Sequence, residues 1–394
     1  MHPRTAWLDQ WAARVLATLL VLLSLAPAAL WAHSSSNSYL ILSVEQGGLT
    51  LRADVDLRDV DLQFDLDRDR DGQVRWSEVQ GRGAELSAWL RQGLQLQRAG
   101  AACNLDLQDL LASQHADGLY LSSFFRVVCP GAEEPLASTA GMRFRYGLIF
   151  DQDALHRGLL RIDGPKVQGS VIFSPDRPEV DLPSEPLGAG ALLLQYVWEG
   201  VWHIWIGADH IAFLISLLLL APLRTSNRPV IQWSGVQRLR PAVMDVLTVV
   251  TAFTLAHSIT LCLAVLEVVE LPSLWVEVAI AVSVVIAALN NLLGGASLRR
   301  WPLAFGFGLV HGFGFASVLI DLGLPAGDLA LALAAFNIGV ELGQLAIVAV
   351  FFAFAWWLRH LPVYRWFFVV GGSLLIAAAG IAWTLMRLGW WGAG

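Results

Sequence analysis

The sequence predicts a membrane protein in two parts: a small extracytoplasmic β-rich domain with an EF-hand-like loop, followed by a six-helix α-helical transmembrane bundle. Three observations carry that expectation. Hydrophobic residues make up 56% of the 394 and charged residues only 15%, against roughly 45–50% and about 25% in soluble domains. Of the 33 acids, 23 lie at or before Asp181, and beyond Pro186 long apolar stretches alternate with short charged loops. The arginines of those loops cluster on one side. Net charge is −7, Lys166 is the sole lysine and there is no basic tail, which excludes nucleic acid as a partner. A disordered chain, a disulfide-dense mini-protein and an ordinary cytosolic enzyme are excluded by the same composition.

The expected domains are a signal peptide over 1–32, an extracytoplasmic domain over 33–185 and a membrane domain over 186–394. Arg4 and Arg14 precede the apolar run Val15–Leu25, which ends in small residues and Ala32. That is the plan of a secretory signal, the alternative being an uncleaved anchor helix. Either way the following segment is exported. Cleavage after Ala32 would leave His33 first, with amino and imidazole nitrogens able to chelate copper or nickel; the bland reading is a disordered terminus. An exported domain permits a disulfide between Cys103 and Cys129, closing a loop of about 25 residues and worth roughly 3 kcal/mol, where the alternative is two buried thiols.

Within the exported domain, Leu49, Leu51, Ala53, Val55 and Leu57 alternate with polar residues, the period of a half-buried strand. Tyr39–Val44 precedes them across a Gly47-Gly48 turn, and further strands are expected at Leu119–Val128, Met142–Phe150 and Val167–Phe173. Together they predict a small antiparallel sandwich with one helical insertion. The insertion holds residues 67–78, which follow the twelve-residue calcium loop of an EF-hand. Asp67, Asp69, Asp71 and Glu78 occupy positions 1, 3, 5 and 12, Gly72 makes the turn at 6, and Gln73 offers its carbonyl at 7. Arg68 and Arg70 among the ligands and Arg75 at position 9 point to a weak Ca²⁺ site rather than a sensor. The alternative is an acidic solvated turn.

Six stretches reach the ~20 residues needed to cross a bilayer: approximately 192–220, 242–266, 274–294, 302–320, 329–357 and 366–388. Arg224, Arg228, Arg238 and Arg240 follow the first, Arg299 and Arg300 the third, and Arg359 and Arg365 the fifth. The other loops carry Glu267, Glu270, Asp321 and Asp328 and no arginine. By the positive-inside rule this places six spans in a cytoplasmic (inner) membrane, with the N-terminal domain and the C-terminus outside. Arg387, at the outer end of the last span, is the one misplaced cation.

The spans carry more polar chemistry than packing needs. An intramembrane charge costs about 2.5–3.5 kcal/mol on insertion scales, so the acids must face the bundle interior. His203 and His210 stand two helical turns apart, with Asp209 beside the second and Gly207 between them, where it could open the helix. Asn337, Glu341 and Gln344 share a face, and Gly308 and Gly312 permit close approach around His311. Imidazole with carboxylate suits nickel, cobalt, zinc or copper. The expected set is His203, Asp209 and His210 at the entry, completed by His257, His311 and Glu341. The alternative is a hydrogen-bonded polar core that fixes helix register.

Four segments in order, His203-Ile-Trp-Ile-Gly-Ala-Asp209-His210, Phe253-Thr-Leu-Ala-His257-Ser-Ile-Thr260, Phe307-Gly-Leu-Val-His311-Gly-Phe-Gly-Phe-Ala316 and Phe336-Asn-Ile-Gly-Val-Glu341-Leu-Gly-Gln344, resemble the HupE/UreJ family over roughly residues 190–390. The likeness is to the branch with an exported N-terminal domain. It implies a nickel or cobalt permease of the kind associated with hydrogenase and urease maturation. It also implies an acid near Asn290, where this chain has Asn290 and Asn291. Two other readings compete with divalent-metal transport or acquisition. One is an intramembrane metalloenzyme with Glu341 as base to a Zn²⁺-bound water. The other is a non-transporting anchor that presents the exported domain to a protein partner.

Overall fold

The computed structural model describes residues 36–45, 48–71, 73–115, 118–131, 138–164, 167–185, 188–226, 232–294, 299–321 and 326–390. The expected signal peptide, His33 and Gly72 lie outside the described residues. The chain divides into two compact units, one of residues 33–192 with 317–329, the other of 193–316 with 330–394.

The first unit is β-rich. Strands β1 (Asn37–Glu45), β2 (Gly48–Asp56), β5 (Asn104–Gln114), β6 (Leu119–Val128), β8 (Arg157–Asp163) and β9 (Gln168–Phe173) form a sheet in the order β5-β6-β2-β1-β8-β9. Strands β3 (Leu94–Arg98), β4 (Ala101–Ala102), β7 (Met142–Tyr146) and β10 (Glu179–Asp181) form a second, in the order β10-β7-β3-β4. The alternation in β2 is realised: Leu49, Leu51, Ala53 and Val55 pack in one core with Leu96, Phe144 and Phe173. Among the described residues, all pairings are antiparallel save one. Strand β1 runs parallel to β8, which corrects the wholly antiparallel sandwich, because side-chain period reports a strand's faces and not its direction. The expected strand at 142–150 stops at Tyr146, where the Gly147 N–H turns to the Gly93 carbonyl.

The helical insertion comprises α1 (Leu57–Phe64), α2 (Trp76–Gly81) and α3 (Gly83–Gly93), anchored by Val60, Val79, Leu86 and Leu90 in the core. Asp56 starts α1 by accepting the Arg58 N–H at 2.9 Å, an N-cap bond. Cys103 and Cys129 form the expected disulfide.

The second unit is helical. From Ala189 on the elements are α4 (Ala189–Ile206), α5 (Ala208–Leu219), a hairpin of β11 (Leu223–Ser226) and β12 (Gln232–Gly235), α6 (Leu239–Val265), α7 (Ser273–Leu292), α8 (Arg300–His311), a 3₁₀ turn (Gly312–Phe315), α9 (Ala316–Asp321), α10 (Ala326–Leu358) and a π-helical segment (Tyr364–Gly371) leading into α11 (Gly372–Arg387), of which residues 189–192 and 317–329 group with the first unit. Among the described residues, Leu239–Val265, Ser273–Leu292, Gly327–Leu358 and Tyr364–Arg387 are long and apolar enough to cross a membrane. A fifth crossing follows if α4 and α5, bent by 73° at Gly207, count as one broken span. The stretch expected to span over 302–320 is in pieces: α8 ends at His311 and a 3₁₀ turn follows. A Cβ on Gly312 would overlap the His257 carbonyl and the Thr260 hydroxyl, so this turn lies backbone-to-backbone on α6.

One polar cluster is enclosed in the β-rich unit. His156 accepts or donates at both nitrogens, with Ser36 Oγ at 2.7 Å from Nδ1 and Tyr146 Oη at 2.7 Å from Nε2. Asp59 Oδ2 stands 3.7 Å from the same Nδ1, and the Ser36 hydroxyl is a hydrogen-bond partner of the carboxyl. Burial raises the Asp59 carboxyl from 3.8 to about 6. Burial, with Arg157 nearby, lowers His156 from 6.5 to about 3. The raised carboxyl stabilises the fold at low pH and loses that contribution as pH rises through about 6, whereas the lowered imidazole costs stability as pH falls from 6.5 towards about 3. The two oppose one another between about 4 and 6. Asp59→Asn leaves only the imidazole contribution. We expect the variant to gain about 1–2 kcal/mol at pH 7 and to lose stability steadily between pH 6.5 and 4, where the parent changes little. Hydrogen exchange of the β1 and β8 amides in the full-length protein, corrected for intrinsic rates, reads this; identical pH profiles would contradict it.

Candidate metal centre

Three close helix contacts bring the polar residues together. Gly200 on α4 and Gly339 on α10 meet face to face: a Cβ on either would overlap the carbonyl of Phe336 or Val197. Trp205 secures the same crossing by donating its indole N–H to the Gly343 carbonyl at 3.2 Å. On the other side Gly308 lies against the Phe253 carbonyl of α6. These contacts aim His203 (α4), His257 (α6) and His311 (α8) at one place. Gly207 does the rest, as its position between two histidines suggested. It ends α4, starts α5 with extended backbone, and lies so close to the His210 ring that a Cβ there would stand 2.6 Å from Nδ1.

One nitrogen each from His203, His210 and His257 lie within 4.8 Å of one another. His311 joins through His210, their ring centroids 4.9 Å apart. His210, His257 and His311 are 7%, 0% and 1% exposed. Phe253 touches the rings of His210, His257 and His311, Phe213 that of His311, and Phe336 those of His203 and His257. The wall is aromatic and the contents are imidazole.

Hydrogen bonds assign the protons. Ser283 Oγ donates its single hydrogen to the Ile280 carbonyl at 2.6 Å, so at 3.1 Å it accepts from His311 Nε2–H. His311 Nδ1 is then the bare nitrogen, buried and without a hydrogen-bond partner among the described residues. Asp209 Oδ1 accepts from His210 Nδ1–H at 3.1 Å, leaving His210 Nε2 bare and buried. His257 is fully buried, with the Asn337 side chain of α10 as a hydrogen-bond partner. A carboxylate or hydroxyl behind an imidazole is how proteins orient a histidine towards a metal.

Of the six residues expected at the site, five gather here and one does not. Asp209 stands behind His210 rather than among the converging atoms. Glu341 is elsewhere: its Oε1 accepts from Thr251 Oγ1 at 2.8 Å. Gln344 accepts from Thr254 at 3.0 Å, so α6 and α10 carry a row of polar pairs adjoining the histidines. Asn291 serves packing, donating to Ser216 of α5 and Ser373 of α11. Sequence reasoning missed Ser283, because a serine in an apolar helix reads as a small packing residue. It also misread Arg387, whose guanidinium lies 3.7 Å from Asp209 and 3.5 Å from Glu277.

In the β-rich unit, carboxylate oxygens of Asp67, Asp69 and Asp71 converge within 4.8 Å in the loop between α1 and α2. The Arg75 guanidinium bridges Asp69 and Asp71, and these contacts lower the Asp69 carboxyl and raise the guanidinium. Glu78 accepts the backbone N–H groups of Arg68 and Arg75 at 3.0 and 2.8 Å, and Gln73 donates its backbone N–H to Asp71 at 2.9 Å.

No curated protein is similar enough in sequence to match this chain. A family model described as HupE / UreJ protein matches residues 184–387, just over half of the chain and all four histidines. That family is linked to nickel and cobalt transport. With the helical unit and its ordered histidine motifs accounted for by that match, the chain belongs to the HupE/UreJ family.

Proposed function

We propose that this protein transports or acquires a divalent transition metal, nickel or cobalt first, through the imidazoles of His203, His210, His257 and His311. The observation that carries the reading is the convergence of buried histidines, two of which, His210 and His311, are oriented by Asp209 and Ser283. Around a tetrahedral ion with bonds of about 2.1 Å, ligand atoms stand ~3.4 Å apart. The three-histidine group therefore closes by roughly 1 Å on loading, a side-chain adjustment. Imidazole suits nickel, cobalt and zinc alike.

The orientation we propose has the β-rich domain and the C-terminus outside a cytoplasmic membrane, with six crossings. Arg300, paired with Asp245 at 2.7 Å, and Arg359, bonded to the Val236 carbonyl at 3.1 Å, would mark the inner rim. The row Thr254–Gln344 and Thr251–Glu341 then leads from the histidines towards that rim. Transport is favoured over hydrolysis because the carboxylate a hydrolase would use as base, Glu341, is engaged with Thr251.

In the exported domain we propose a weak Ca²⁺ site built from Asp67, Asp69, Asp71, the Gln73 carbonyl and Glu78. Arg75 competes with the ion for Asp69 and Asp71, which supports an affinity in the ~10⁻⁴–10⁻³ M range.

Metal accumulation by cells or proteoliposomes tests the main reading. His210→Ala and His311→Ala should abolish Ni²⁺ and Co²⁺ accumulation, and Ser283→Ala should weaken binding about tenfold. Unchanged accumulation in both histidine variants would contradict transport through this site. For the loop, Arg75→Ser should tighten Ca²⁺ binding about tenfold in calorimetry by removing the internal competitor; weaker or unchanged binding would contradict that arrangement.

A further inference from the structure

Arg387 is the residue that the arginine distribution leaves unexplained, and its surroundings give it a task. It is the last residue of α11. Asp209 lies in the first turn of α5 and Glu277 near the start of α7, so three helix ends meet. The guanidinium is not committed to either carboxylate. Its Nη2 stands 3.7 Å from Asp209 Oδ2 and its Nε 3.5 Å from Glu277 Oε2, and its close hydrogen bond, at 3.0 Å, runs from Nη1 to the Glu277 backbone carbonyl. A bidentate Arg–carboxylate pair would show two short parallel bonds. Here one cation is divided between two acids.

Asp209 is divided too. Oδ2 faces Arg387 while Oδ1 accepts from His210 Nδ1–H. The carboxylate therefore has two cationic claims on it: the permanent charge of Arg387, which cannot deprotonate, and the charge that His210 gathers when its other nitrogen binds a metal. Drawing Asp209 towards one weakens its hold on the other. Glu277 offers the displaced guanidinium a second carboxylate without any change in its bond to the Glu277 carbonyl.

We propose that Arg387 is an internal counter-cation that competes with the metal for Asp209, and that Glu277 receives its charge when the metal is bound. This deepens the transport reading and rests on it. Arg387 is a positioning residue: it touches no ligand nitrogen and acts through Asp209 on His210. In the metal-free site its charge is divided between Asp209 and Glu277. In the loaded site its retreat to Glu277 lets Asp209 support His210, and its return favours release.

Competition has a sign that a purely structural bond lacks. Removing the competitor should tighten metal binding, whereas removing its alternative partner should weaken binding, because Arg387 then falls wholly on Asp209. The experiment is Co²⁺ and Ni²⁺ binding to full-length protein in nanodiscs, by calorimetry, with the Co²⁺ visible spectrum reporting the ligand set. We expect Arg387→Gln to bind about tenfold tighter and Glu277→Gln about tenfold weaker. The double variant should match Arg387→Gln, since Glu277 acts only through the arginine, and Arg387→Lys should stay near the parent. A structural role would weaken metal binding in both single variants. Shifts in the same direction, or a double variant that adds the two effects, would overturn the proposal. If the parent and His210→Ala bind metal equally, the transport site itself has failed, which is a different result.

Discussion

A neutral imidazole carries one proton and one lone pair, and burial forces both to be used. That constraint organises the helical unit. His311 gives its proton to Ser283 and His210 gives its own to Asp209, so each turns a bare nitrogen inwards. Unmet, a buried polar atom of this kind costs roughly 1–3 kcal/mol, and several in one aromatic enclosure are hard to understand as packing alone. Their cost is sensible where a ligand offsets it. A cation that accepts imidazole nitrogen is the ligand that fits the chemistry of the donors.

The enclosure depends on backbones that touch. Gly200 against Gly339, and Gly308 and Gly312 against α6, set helix separations that any Cβ would widen. In lipid, helices gain little from hydrophobic burial against one another, so small residues at crossings carry much of the association. The broken span at Gly207 complements them. It lets His203 and His210 reach the same point from two helices that diverge by 73°.

Much of this was legible in the sequence. Alternation in β2 marked a buried strand, the cysteine pair marked a disulfide, and glycine between two polar residues marked the break. Histidines in apolar helices had to face inwards, and they do. Other features left no local trace. The parallel pairing of β1 with β8 joins residues more than a hundred positions apart, and no period in either strand encodes it. Strand β5 is exposed along much of its length, so its hydrophobic pattern is weak. Glu341 shares its helix face with Asn337, yet its reach ends at Thr251, a distinction that depends on how α6 and α10 cross. Arg387 looked misplaced because charge rules count residues by side of the membrane, while its partners Asp209 and Glu277 belong to other helices.

The calcium-like loop illustrates a related limit. Its ligand spacing is a property of the chain, but whether three aspartates face an ion or an arginine depends on where Arg75 folds, and it folds onto Asp69 and Asp71. At the histidines the corresponding question is which atoms surround the metal. X-ray absorption of the full-length protein loaded with one equivalent of Ni²⁺ answers it most directly. A shell of nitrogen at about 2.0–2.1 Å, with the outer-ring scattering of at least three imidazoles that diminishes in His210→Ala, is the result required here. A shell of oxygen alone, without imidazole scattering, would mean that the converging histidines do not hold the ion.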